Sequence, residues 1–225
     1  MIDIHINIGS NSGHREALIE RAVAAVRSAF PDADIRCSDV IETPPWGFDS
    51  PNPFLNVGVM ISLRSYSSSS AMEHLTVRTH FNASASADCV PASFERLSAP
   101  ADCIPVPADS VSVSDISVDG ADAFQCVRTD KLTGFALEIL RKLQEIQSNI
   151  DPSPHRDASG AYIDRAIDID LITIDDWVVD HPDLTLPHPR MHMRDFVLIP
   201  LRQLAPHWTH PILAKTAVEM IADLK

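Results

Sequence analysis

Ile2-Asp3-Ile4-His5-Ile6-Asn7-Ile8 places four isoleucines on one parity and three polar residues on the other. Successive side chains of an extended chain point to opposite faces, so this strict period of two predicts a half-buried strand. Gly9-Ser10-Asn11-Ser12-Gly13 then breaks the alternation with turn and helix-cap residues. Leu18, Ile19, Ala22, Val23, Val26 and Phe30 follow at helical spacing, and Pro31-Asp32 closes that helix.

Working outward, residues Ile35 to Ile41 read as a second strand. Thr43-Pro44-Pro45-Trp46-Gly47 is a loop stiffened by two fixed φ angles. Phe54 to Leu63, rich in Val, Ile and Leu, reads as a third strand. Residues 65 to about 130 are crowded with Ser, Ala, Asp and Pro and sustain neither period, although Val111 to Val118 fits a short strand. This stretch is expected to be an insertion, partly disordered or loosely folded.

From Leu132, the positions Ala136, Ile139, Leu140, Leu143, Ile146 and Ile150 predict a second amphipathic helix. Asp151-Pro152-Ser153-Pro154 stops it and opens a polar loop to Tyr162. Ala166 to Ile174 is a fourth strand. A last helix is expected over Pro211 to Leu224, with Ile212, Leu213, Thr216, Ala217, Met220 and Ile221 inward. Without the insertion the order is β-α-β-β-α-β plus a C-terminal extension. That order predicts one α+β domain over residues 1–225, with a ferredoxin-like antiparallel sheet and helices on one face.

Composition narrows the function. The formal net charge is −13, which argues against a nucleic-acid footprint but leaves room for a phosphate ligand held by local arginines. No apolar run reaches the roughly 18 residues of a membrane span, and the N-terminus lacks a signal-peptide pattern. A cytoplasmic location with no membrane partner is expected. The four cysteines, Cys37, Cys89, Cys103 and Cys126, include no CxxC pair, which speaks against a disulfide framework. The sequence names no protein partner.

The sharpest chemical feature is Arg165-Ala166-Ile167-Asp168-Ile169-Asp170-Leu171. In a strand, Asp168 and Asp170 project to the same face, roughly 6–7 Å apart along the chain, while Ile167, Ile169 and Leu171 enter the core. Two unpaired carboxylates are costly to bury, and Mg²⁺ removes that cost by combining a few carboxylates with water and phosphate oxygens. The pair reads equally as the wet side of an edge strand. Arg165 points away from the aspartates if the strand already starts there, and reaches toward a phosphate if it lies in the preceding loop. Pro187 and Pro189 flank His188, so His181, His188 and His192 form no helical metal motif. Phe54 and Phe196 are core candidates that could also sandwich a flat heterocycle, with Asn56 reading its edge.

Four blocks in this order resemble the hydroxymethyldihydropterin pyrophosphokinase family. They are Ile8-Gly9-Ser10-Asn11; Thr43-Pro44-Pro45-Trp46-Gly47 with Phe54-Leu55-Asn56; Arg165-Ala166-Ile167-Asp168-Ile169-Asp170; and Leu186-Pro187-His188 continuing to Arg194, Phe196 and Pro200-Leu201. The likeness spans about 1–64 and 132–206 and leaves the insertion outside. It implies transfer of pyrophosphate from ATP to the hydroxymethyl oxygen of the dihydropterin, releasing AMP, in folate biosynthesis. It further implies two Mg²⁺ ions on Asp168 and Asp170. The pterin would stack on Phe54 and Phe196 and meet Asn56, Thr43, Pro44, Pro45 and Trp46. Arg165, His188, Arg194 and Gln144 would face ATP.

The family usually carries Gly-Arg-x-Arg after the second helix, whereas this chain reads Asp151-Pro152-Ser153-Pro154-His155-Arg156, with Arg156 the expected replacement. Gln147 and Tyr162 stand where the family often has Glu and Trp. These departures keep one alternative in view, a catalytically impaired relative that binds pterin or nucleotide. The aspartate pair by itself keeps another, a different two-metal enzyme, a hydrolase on Asp168, Asp170 and His188.

Overall fold

The computed structural model describes residues 1–64, 120–158 and 160–224, with backbone alone for 120–130. Strand β1, Ile2–Ser10, is the centre of the molecule. It pairs antiparallel with β4, Phe54–Leu63, on one side and with β5, Asp168–Ile174, on the other. Beyond β4 lie β2, Ala33–Cys37, and β3, Ile41–Thr43, giving the order β2-β4-β1-β5 with β3 also on β4. The expected second strand is therefore two short strands. Between them the Ser38 hydroxyl accepts a hydrogen bond from Gly58 N–H, and Ser38 N–H donates to the Gly58 carbonyl. That exchange spends the ladder bonds and breaks the strand.

The first face of the sheet is aliphatic. Ile4, Ile6 and Ile8 are fully buried beside Val57, Val59 and Ile61 of β4 and Ile169 and Leu171 of β5. Helices α1, Arg15–Ala29, and α2, Gly120–Ile150, cover this face with Ile19, Ala22, Val26, Ala136, Ile139 and Leu143. Each such isoleucine or leucine contributes about 1.5–3 kcal/mol of transfer free energy. Helix α2 starts well before Leu132, inside the stretch assigned to the insertion. Its first turns hold Gly120, Asp122, Cys126, Thr129 and Asp130, weak helix formers that hide the element in the sequence. The strand expected over Val111 to Val118, and the disorder expected of residues 65–119, lie outside the described residues.

The second face corrects two expectations. His5 and Asn7 are only 0% and 3% exposed, so β1 is buried on both sides rather than half-buried. Helices lie on both faces rather than one. Helix α3, Asp195–Leu204, packs over β4 and closes a second core of Ile172, Met191, Val197, Leu198 and Leu201. Gly58 makes that approach possible, since a Cβ there would lie 2.5 Å from Pro200 Cβ and 3.0 Å from His5 Nε2. A register slip in the β1–β5 pairing, between His5 and Ile6, lets Ile172 join this second core while Ile174 returns to the first.

A small hairpin, β6 Val179–His181 and β7 Leu184–Leu186, leads through a cis Leu186–Pro187 peptide to His188, whose N–H donates to the Ile172 carbonyl at 2.8 Å. The C-terminal helix α4 spans only Ala217–Asp223. Thr216 and Glu219 form a reciprocal capping box that fixes its start, and the preceding Ile212 and Leu213 are 64% and 41% exposed instead of inward. Among the described residues no helix is long and apolar enough to cross a membrane.

Candidate active site

One end of the second face stays uncovered by α3 and forms a cleft. Its floor is set by register. Gly9 of β1 sits between Asn56 of β4 and Asp168 of β5, and Asn7 sits between Gly58 and Asp170. A Cβ on Gly9 would come 2.9 Å from Asn56 Oδ1 and 3.4 Å from Phe54 Cδ1, so the glycine keeps the floor open. Asn7 Nδ2 donates to Asn56 Oδ1 at 3.4 Å, and Asn56 Nδ2 donates to Thr43 Oγ1 at 3.0 Å. These buried amides link three strands and hold the Asn56 edge in one orientation.

Asp168 and Asp170 project together from the start of β5, an edge strand, onto this face. Arg165 lies before the strand and turns back toward them, its Nη2 2.8 Å from Asp168 Oδ2. Asn11 fixes that turn: its Oδ1 accepts from Arg165 N–H at 2.9 Å and its Nδ2 donates to Asp164 Oδ1 at 2.6 Å. His155 Nδ1 is 3.4 Å from Asp168 Oδ1, and Arg194 Nη1 is 3.3 Å from Asp170 Oδ2. The arginine side chains are 14% and 9% exposed, less than the 22% and 32% of the aspartates they meet. Buried Nε and Nη1 of Arg165 and Nε of Arg194 have no hydrogen-bond partner among the described residues.

The two carboxylates differ electrostatically. Burial alone would raise Asp168, but the His155 hydrogen bond and the Arg165 charge hold it below the ordinary carboxylate value. Burial and the neighbouring Asp168 charge push Asp170 up to about 6, against the pull of Arg194 and Arg165. Desolvation and the Arg194 and Arg190 charges bring His188 down to about 4, so it is neutral at pH 7. Among the described residues no three His, Cys, Asp or Glu side chains cluster as a metal site. The two aspartates thus suit a cation that takes its other ligands from water and phosphate, which is the habit of Mg²⁺. Arginine N–H groups left without partners beside them suit the anion that would come with it.

The walls are aromatic. Trp46, Phe48, Phe54, Tyr162 and Phe196 all line the cleft. The Arg165 guanidinium lies 5.2 Å from the Phe54 ring centre, and that of Arg194 lies 4.8 Å from Trp46 and 5.6 Å from Phe196.

Most residues singled out from the sequence meet here: Thr43, Pro44, Trp46, Phe54 and Asn56 on one side; Arg165, Asp168, Asp170, His188, Arg194 and Phe196 on the other. Three do not. Gln144 is exposed on α2, one turn before Gln147, whose Oε1 accepts from Ile169 N–H at 2.6 Å. Pro45 is outside the lining. Arg156 stacks on Tyr162 at 3.8 Å, donates to the Gly160 carbonyl and is not among the residues that line the cleft.

Asn7, Phe48, His155 and Arg190 line the cleft as well and had no role assigned from sequence. Asn7 sits on the polar parity of β1, a signal that could have found it, whereas Phe48, His155 and Arg190 lie in loops, where no period marks a side chain's direction.

The profile of the 7,8-dihydro-6-hydroxymethylpterin-pyrophosphokinase family matches residues 5–86 and 111–206. The chain is 28% identical over 212 residues to the 2-amino-4-hydroxy-6-hydroxymethyldihydropteridine pyrophosphokinase of Porphyromonas gingivalis, covering 94% of this chain and 95% of the relative. The protein of the same name from Synechocystis is 44% identical over 60 residues, 27% of this chain and 31% of its own. A folic acid synthesis protein of Dictyostelium discoideum is 45% identical over 60 residues, 27% of this chain and 9% of its own. The profile match is interrupted at 87–110, within the stretch of about 65–130 read as an insertion from composition. With most of its length matched and the carboxylate pair, arginines and aromatic walls in one cleft, the chain belongs to the 7,8-dihydro-6-hydroxymethylpterin pyrophosphokinase family.

Proposed function

We propose that this cleft transfers pyrophosphate from ATP to 6-hydroxymethyl-7,8-dihydropterin, releasing AMP and making the pterin diphosphate of folate biosynthesis. Membership of a pyrophosphokinase family supports the reaction. The observation that carries its assignment to this cleft is the convergence of Asp168, Asp170, Arg165 and Arg194 beside Phe54 and Phe196.

In this reading the flat pterin lies between Phe54 and Phe196, and Asn56, oriented by Asn7 and Thr43, hydrogen-bonds its edge. Arg165, Arg194 and neutral His188 receive the triphosphate. Asp168 and Asp170 would hold Mg²⁺, two ions, which when bound neutralises charge on the phosphates. The hydroxymethyl oxygen attacks the β-phosphorus, the bond from that phosphorus to the α–β bridging oxygen breaks, and AMP leaves with that oxygen. The hydroxyl proton passes to solvent. Such a transfer needs positioning and charge neutralisation more than covalent help.

The sheet order, with α1 and α2 on the first face, supports a ferredoxin-like core. We read residues 1–225 as one such domain, cytoplasmic, with small-molecule substrates and no nucleic-acid partner.

The test is AMP formation by purified protein with ATP and Mg²⁺, with and without the hydroxymethyldihydropterin. AMP is expected only with the pterin, and Asp168→Ala should abolish it. Metal-dependent ATP hydrolysis without pterin would instead favour a hydrolase. Arg156, held on Tyr162 and absent from the cleft lining, favours one second reading, a relative that binds pterin or nucleotide with little turnover. Complementation of a strain lacking the enzyme would exclude it.

A further inference from the structure

Arg190 lines the cleft beside the paired arginines Arg165 and Arg194. It is exposed and stands at the start of the 3-10 turn Met191–Met193, four residues before Arg194. Arg165 pairs with Asp168 and Arg194 with Asp170, whereas Arg190 meets no carboxylate among the described residues. Its contacts are the Trp46 ring, 5.7 Å from its guanidinium carbon, and the Tyr162 hydroxyl, 3.4 Å from Nη2. Those residues come from the two loops that wall the cleft, so the side chain spans the two without being neutralised there.

Arg190 and Arg194 both lie by the Trp46 ring, 5.7 and 4.8 Å from its centre, and two guanidinium charges brought together in this way are stabilised by a shared anion.

We infer that Arg190 is a phosphate-binding residue that takes the outer phosphates of the nucleotide, in place of the arginines missing from Asp151–Arg156. This rests on the function proposed above and adds to it a residue and a specificity for triphosphate over monophosphate. Arg190 binds by charge and forked N–H geometry while its stem rests on Trp46.

The test compares wild type, Arg190→Gln and Arg190→Lys by calorimetric titration with a non-hydrolysable ATP analogue plus Mg²⁺, with AMP, and with hydroxymethylpterin. Loss of one charge-assisted contact weakens binding by roughly 10- to 100-fold. Arg190→Gln should lose that much affinity for the triphosphate and keep its AMP and pterin affinities. Arg190→Lys should recover most of the loss. Unchanged triphosphate affinity in Arg190→Gln, or equal weakening of triphosphate and AMP, would overturn the inference and leave the proposed function standing. A wild type that binds no triphosphate would overturn both.

Discussion

Two halves of one sheet face have opposite fates. Toward one end of β1, His5 lies beneath α3 with Pro200 and Leu204 around it, fully buried and with neither ring nitrogen hydrogen-bonded among the described residues. Its pKa is driven down to about 3 by burial, so it is neutral. Two residues further on, Asn7 opens onto a cleft where Asp168, Asp170, Arg165 and Arg194 meet. A histidine sealed by a helix gives up its charge; Asp168 and Asp170 beside the open cleft each face an arginine counter-charge. What separates the halves is how far α3 reaches, and Gly58 and Pro200 set that.

The largest effect should come from breaking the open half. Asp168→Ala or Asp170→Ala is expected to lower AMP formation by about a thousandfold or more, the scale of losing a positioned charge in phosphoryl transfer. Thermal melting should stay close to wild type, since both side chains border the cleft. A large loss of melting temperature would mean the pair is structural.

Gly58→Ala attacks the covered half. Its new Cβ would overlap Pro200, at 2.5 Å, and lift α3, costing about 1–3 kcal/mol in urea unfolding. An unchanged midpoint would show that α3 is not held by close approach.

Acid should separate the halves more finely. The unfolded chain protonates its histidine near 6.5 and the folded chain only near 3, so between those values the unfolded state binds the extra proton. Stability from His5 is therefore complete above about pH 6.5 and falls by up to about 1.4 kcal/mol per unit as pH drops toward 3. His5→Leu should flatten that part of the profile in denaturant titrations at several pH values. An equally steep profile in the variant would assign the acid response elsewhere.

The smallest effect is expected at Arg156. Because it stacks on Tyr162 outside the cleft, Arg156→Ala should change kcat/KM by less than about threefold, an effect worth under 1 kcal/mol. A hundredfold loss would show that this loop swings inward with ATP bound.

These halves were unequally legible in the sequence. The isoleucine alternation announces β1, and Phe54 to Leu63 announces β4 to the residue, because aliphatic packing leaves a periodic trace. Helix α3 leaves a weaker one, since Pro200 lies inside it and breaks the expected helical composition. With α3 unseen, His5 and Asn7 read as solvent-facing. The true start of α4 is written in Thr216 and Glu219, a capping signal that the apolar run from Pro211 overshadows. In the cleft, Asp168 and Asp170 follow from strand parity. The inward turn of Arg165 depends on Asn11, over 150 positions away, and no local pattern carries that.

The most direct test follows phosphorus by NMR in a mixture of wild-type protein, ATP, Mg²⁺ and hydroxymethyldihydropterin. The expected spectrum shows the β- and γ-phosphorus resonances moving together onto the pterin as AMP accumulates in equal amount. Orthophosphate with ADP, or intact ATP alongside a protein that demonstrably binds both substrates, would contradict it.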